Sequence, residues 1–177
     1  MQCSNRRGGF LIHNTFASGH TRPVAATRGS IPAAHPRNDM ARPQNRSQLM
    51  DRLGAVQLNT VWSWCGVNDS ERKVYFSIWT DNSCTHDGAK AYLVQGPEWG
   101  INEQGGKSPA RNDQDAKLAL VFEQGYEPWC YFIEAKDRSA HPREIGSTLT
   151  SFVLLLKLDR RADGSIVGTP LKRVEIG

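Results

Sequence analysis

Long apolar runs are missing from this chain. None approaches the ~20 residues needed to cross a bilayer as a helix, and a stretch such as Phe152–Leu156 has only the length of a strand. CxxC pairs are missing as well: Cys3, Cys65, Cys84 and Cys130 stand singly, at spacings that match no zinc site. Neither a metal nor any other cofactor is expected, and no membrane partner. Cys65 and Cys130 fall in apolar, strand-like runs, where a free thiol is usually a small buried hydrophobe, and a reducing, cytoplasmic setting is the default. A phosphate-binding GxxxxGK[ST] loop is also lacking. Gly105-Gly106-Lys107-Ser108 imitates only its end, without the strand that should feed it. No internal repeat is present.

Hydrophobic residues make up only 38% of the chain, and the deficit is concentrated at one end. Residues 1–49 carry almost no aliphatic run and are rich in Arg, Pro, Ser, Asn and Gly. Such a composition buries too little apolar surface to offset chain entropy, so a disordered basic tail is expected there. It has a superficial likeness to an organellar transit peptide. The plainer reading is that Met40 or Met50 is the true start. Residues 50–177 are then one small domain. Charge divides in the same way. Seven Arg and one Asp give residues 1–49 a charge of +6, which leaves 15 Lys and Arg against 17 Asp and Glu, or −2, for the domain. Bulk charge therefore gives no support to nucleic-acid binding by the domain. Such binding must rest on a local pocket.

What the domain does have is turn chemistry and aromatic strands. A short helical turn is expected over 51–58, a strand over 59–67, a polar turn at Asn68-Asp69-Ser70, and a second strand over 73–80 with Val74, Phe76 and Ile78 on one face. A polar loop should run from Asp81 to Gly88, followed by a short strand over 90–95 and a glycine-rich surface loop from Gly96 to Lys107. Ser108-Pro109 reads as an N-cap with proline at the first helical position, and Gly125 as the C-cap of the one main helix. Strands follow over 129–135 and within 147–159. Ala162-Asp163-Gly164 makes a hairpin into the last. The predicted fold class is α+β: a small curved mixed sheet or partly open β-barrel, with one main helix.

Three of the five tryptophans cluster in TVWSWCGVNDSERKVYFSIWTDN, residues 60–82. Alternation along a strand points Trp62 and Trp64 one way, and aligns Tyr75, Ser77, Trp79 and Asp81. Trp64 and Trp79 facing each other across adjacent strands are candidate walls for a planar ligand. Asp81 is a candidate acceptor for an exocyclic amine, and Trp99, placed in the glycine-rich loop, a candidate lid or ligand contact. Packing of the same rings in a core is the competing reading. Glu134-Ala135-Lys136 has the form of half a PD-(D/E)xK nuclease site, with Asp113 or Asp115 as the upstream acid and Mg²⁺ as the metal. That is the enzymatic alternative, and a protein-interaction domain is a third. Cys84 with His86-Asp87-Gly88 completes no triad or ligand set. Arg143, in the turn His141-Pro142-Arg143-Glu144, is a candidate phosphate contact.

Trp62-Ser63-Trp64 with Cys65-Gly66, Trp79-Thr80-Asp81, Gly125-Tyr126 and Pro142-Arg143-Glu144-Ile145 together resemble the pattern of bacterial PUA-like domains associated with restriction–modification systems. The likeness covers about residues 59–176. Cys65 departs from it, standing where a glycine is expected directly after W-S-W. The wider group includes EVE, YTH and SRA-type readers. The resemblance implies a curved sheet whose aromatic cage receives a flipped, often methylated base, in DNA by preference. Trp64 and Trp79 would be cage walls, Asp81 the reader of the base edge, and Trp62 core or pocket rim. Catalysis is not expected of such a reader. Any cleavage would come from a separate nuclease subunit.

Overall fold

A computed structural model describes residues 42–140 and 142–177. The basic tail expected at 1–49 lies mostly outside the described residues. Its last part does not: helix α1 spans Arg46–Arg52, capped by the Asn45 side chain, which accepts from the Gln48 amide at 3.0 Å. Leu49 and Met50 of α1 are buried in the core, and the Pro43 carbonyl accepts from the Thr150 hydroxyl. The domain therefore begins several residues before Met50, and the helix overlaps the 51–58 stretch expected to hold it only at Asp51 and Arg52. Composition averaged over 49 residues hid one buried turn.

Seven strands follow, β1 Cys65–Asn68, β2 Lys73–Trp79, β3 Ser83–His86, β4 Ala89–Gln95, β5 Glu127–Ala135, β6 Ile145–Arg160 and β7 Ile166–Glu175, with helix α2, Pro109–Gln124, between β4 and β5. They form one open mixed sheet in the order β1-β2-β5-β6-β7-β4-β3. Only β2 and β5 run parallel, because α2 lies between them in sequence and returns the chain to the same end. β2 and β4 also approach one another although four places apart in the order, so the sheet is curved. The fold is α+β, as the element pattern predicts.

α2 starts and stops where its caps dictate. The Ser108 hydroxyl accepts from the Arg111 amide, Pro109 takes the first turn, and Gly125 adopts the left-handed conformation at φ 70°. Two strands depart from expectation. β1 is only four residues long, because Asn59 and Ser63 fold the chain before it into a tight turn. Asn59 Oδ1 accepts from the Val61 and Trp62 amides at 2.8 and 3.2 Å, and the Ser63 hydroxyl accepts from the Asn59 amide at 2.9 Å. Side chains that bond their own backbone compete with a sheet ladder, so the alternation assigned to Trp62 and Trp64 does not apply. β3 lies within the Asp81–Gly88 stretch that polarity predicts to be loop. Asp87 and Gly88, both at positive φ, make the two-residue turn that pairs β3 with β4.

The core occupies both faces of the sheet. On one, Val74, Phe76 and Ile78 of β2 pack with Cys130, Phe132, Leu154 and Leu118 of α2. On the other, Tyr75, Trp129, Tyr131 and Ile133 pack with Leu49 and Met50 of α1, and Trp79 sits against this cluster half-buried. α2 is unusual in the polarity of what it buries: Arg111, Asp113 and Gln114 all lie in its first half.

Candidate ligand-binding cleft

A cleft of about 990 Å³ opens beside β2, lined by Trp64, Trp79 and Trp99 together with Ser77, Asn82, Gln114, Arg46 and Arg143. This size falls within the ordinary range for small-ligand sites. The three tryptophans are each half-buried and come from three separate segments. Trp79 ends β2. Trp64 lies just before β1, where its carbonyl accepts from both the amide and the hydroxyl of Ser77 at 2.8 and 2.7 Å. Trp64 is thus opposite Ser77 and diagonal to Trp79, rather than directly across from it.

Trp99 reaches the cleft from the glycine-rich loop, and that loop is held in place. Arg111 Nη1 donates to the carbonyls of Gly96, Pro97 and Trp99 at 3.0, 3.1 and 2.9 Å. Its Nε donates to Asp115 Oδ1 at 2.9 Å, and Asp115 also accepts from Gln95 and Lys107. Burial pushes the Asp115 carboxyl up. Hydrogen bonds from Lys107, Gln95 and Arg111, with the Arg111 charge, outweigh that and hold it below the ordinary carboxylate value. Two glycines let the loop close. A Cβ on Gly96 would lie 2.6 Å from Trp99 Nε1. Gly100, at φ +67°, packs so closely that a Cβ there would lie 2.6 Å from the Ser108 hydroxyl and 3.2 Å from the Trp64 ring.

Two of the expected ligand contacts stand apart from the lining. Trp62 sits in the Asn59–Ser63 turn, outside the cleft. Asp81 is also outside it, its carboxylate accepting from Arg143 Nη1 at 3.1 Å. Arg143 does line the cleft, with its guanidinium 5.7 Å from the centre of the Trp79 ring. Asp81 therefore holds the cation that stacks on a wall, and the edge-reading position assigned to it is not where the structure puts it. The charged residues of the lining, Arg46, Arg143, Glu98 and Glu144, cancel in sign, so the cleft has no bulk attraction for an anion.

The residues of the nuclease alternative are engaged elsewhere. Glu134 accepts from the Ser147 hydroxyl at 2.7 Å and Lys136 pairs with Glu144 at 2.9 Å, both at exposed positions. Asp113 is buried against Lys117, and Asp115 belongs to the Arg111 network. Among the described residues, no three His, Cys, Asp or Glu side chains come together as a set that could hold a metal ion. His86 lies 3.6 Å from both Asp87 and Asp159, which makes it part of a polar edge. Cys65 and Cys130 are fully buried. Desolvation pushes the Cys130 thiol up to about 12 and raises Cys65 as well, the latter reinforced by the nearby Asp113 carboxylate. No helix among the described residues is long and apolar enough to cross a membrane.

Sequence reasoning passed over Arg46, Asn82, Arg111 and Gln114, and gave Asp115 only the part of an upstream acid in the nuclease alternative. Arg111 and Asp115 did carry a signal, an i,i+4 pair of opposite charge on the helix delimited by Ser108-Pro109 and Gly125. Comparison with protein-family profiles, with characterised proteins and with solved structures finds no match.

Proposed function

We propose that the domain is a non-enzymatic binding module that takes a flipped, methylated base of a nucleic acid, DNA by preference, into the tryptophan-walled cleft. The observation that supports this most is the convergence of Trp64, Trp79 and Trp99, from three separate segments, on one cleft with balanced charge. Rings buried only for stability would be sealed in the core, whereas these three each keep part of their surface at an open site. A π-walled cleft without net charge suits the flat, neutral face of a base better than its phosphate. The likeness to PUA-like readers points the same way. In this reading Arg143, 5.7 Å from the centre of the Trp79 ring at the cleft wall, contacts the backbone of the same nucleotide. Any strand cleavage coupled to reading belongs to a separate nuclease partner.

The test is fluorescence anisotropy with labelled single- and double-stranded oligonucleotides that carry N6-methyladenine, 5-methylcytosine or no modification. Trp79→Ala should weaken binding of the preferred modified strand by about 5- to 150-fold, as expected for loss of one stacking wall at ~1–3 kcal/mol, and melting should confirm the variant is folded. Wild-type protein that binds modified and unmodified strands alike, or neither, would refute the reading.

A further inference from the structure

Two polar atoms of the cleft residues have no hydrogen-bond partner among the described residues and are closed to water: Gln114 Oε1 and Asn82 Nδ2. Gln114 is only 2% exposed, and its Nε2 donates to the Val94 carbonyl at 3.0 Å. Only the nitrogen can donate to a carbonyl, so the free end of the amide is the oxygen, an acceptor. Asn82 is fixed through its main chain. Its amide donates to the Trp79 carbonyl at 3.0 Å and its carbonyl accepts from the Leu93 amide at 2.9 Å, which ties the end of β2 to β4. The free nitrogen of its side chain is a donor. Buried groups of this kind are normally paired, and leaving them unpaired is destabilising. A methionine in place of Gln114 would remove the unpaired oxygen, but also the bond that the side-chain nitrogen gives to the buried Val94 carbonyl.

Resting on the base-binding reading above, we infer that Gln114 Oε1 and Asn82 Nδ2 form a neutral acceptor–donor pair that reads the edge of the bound base. The complementary edge has an amine N–H beside a ring nitrogen, as adenine and cytosine do. Because both groups are uncharged and the charges of the lining cancel, the pair selects an uncharged edge. N6-methyladenine keeps one N–H and 5-methylcytosine keeps its whole amino group, so both satisfy Gln114. N6,N6-dimethyladenine and N4,N4-dimethylcytosine have no N–H and leave it unpaired. Since neither protein atom is open to water, engagement needs a small shift of both side chains toward the cleft that they line.

The experiment uses the full chain and short single-stranded oligonucleotides that carry one N6-methyladenine or 5-methylcytosine. The tighter-binding base is compared with its dimethylamino counterpart. The dimethylamino strand should bind about tenfold more weakly to wild-type protein. Gln114→Met should remove that discrimination, and Asn82→Asp should weaken binding of the preferred base while melting stays near wild type. Wild-type protein that binds the two strands equally overturns the inference while leaving the base-binding reading intact, and this arm needs no variant to fold. Failure of wild-type protein to bind either methylated strand overturns both.

Discussion

Replacing Arg111 by methionine isolates the device that positions Trp99. The guanidinium is buried, and its Nη1 contacts three loop carbonyls while its Nε holds Asp115. Nη1 carries two hydrogens, so the three carbonyl contacts amount to two bonds, one of them shared. Hydrogen bonds from a charged donor contribute about 1.5–3 kcal/mol each. Pro97 is exposed and its carbonyl regains water on truncation, which lowers the sum. The expected loss is about 2–4 kcal/mol, which a domain of ordinary stability, ~5–15 kcal/mol, survives. Urea unfolding should show a lower midpoint with an unchanged slope. Hydrogen exchange should quicken selectively at the Ser108 amide, which donates to the Gly100 carbonyl at 2.7 Å. A loss below ~1 kcal/mol with unchanged exchange at Ser108 would refute the claim that Arg111 holds the loop.

Acid should act on the same device. The Asp115 carboxyl is held below its unfolded value by its partners, so its stabilisation is complete above ~3.9 and is lost as pH falls through the lower folded value. Asp115→Asn should flatten the acid limb of the stability profile in that window, as followed by Trp fluorescence. Thiol labelling of native protein should leave Cys65 and Cys130 unmodified, because burial raises both thiols and excludes reagent. Rapid modification of either would contradict its burial. A chain begun at Met50 should be less stable by several kcal/mol than one begun at Asn38, since it loses the fully buried Leu49 and the tie from Thr150 to Pro43. Equal urea midpoints would show that α1 contributes nothing.

The parts of this fold that were legible in sequence are those fixed by local chemistry. Ser108-Pro109 and Gly125 delimit α2 because capping needs only neighbouring residues. Val74, Phe76 and Ile78 share a face because a strand alternates wherever nothing competes with its ladder. At Asn59 and Ser63 something does compete, and Trp62 leaves the face that alternation assigns it. β3 was hidden by its polarity, although Asp87-Gly88 carried the turn signal. The cleft was legible only in part. Aromatic residues that converge from 64, 79 and 99 stand out in composition, whereas Arg46, Asn82 and Gln114 look like surface residues until the sheet curves around them. Asp81 was a natural candidate as a carboxylate beside tryptophan, but its partner Arg143 lies 62 residues away, a distance no local rule spans.

The polar half of α2 ties these observations together. A helix packed on a sheet gains most by burying aliphatic side chains, yet the first half of α2 buries Arg111, Asp113 and Gln114. Asp113 is matched by Lys117, one turn along the same helix. Arg111 is matched by the carbonyls of the loop that carries Trp99, so its burial fixes one wall of the cleft. Gln114 is matched only through its nitrogen, and its oxygen remains without a partner among the cleft residues. Stability alone explains the first two, since each charge has its counterpart and their removal would leave groups unpaired. It explains only half of the third, because the Gln114 nitrogen pairs the buried Val94 carbonyl while its oxygen is left unpaired. The oxygen that stability fails to explain belongs to a residue lining the same cleft as the three tryptophans, which is where selection for a ligand would act.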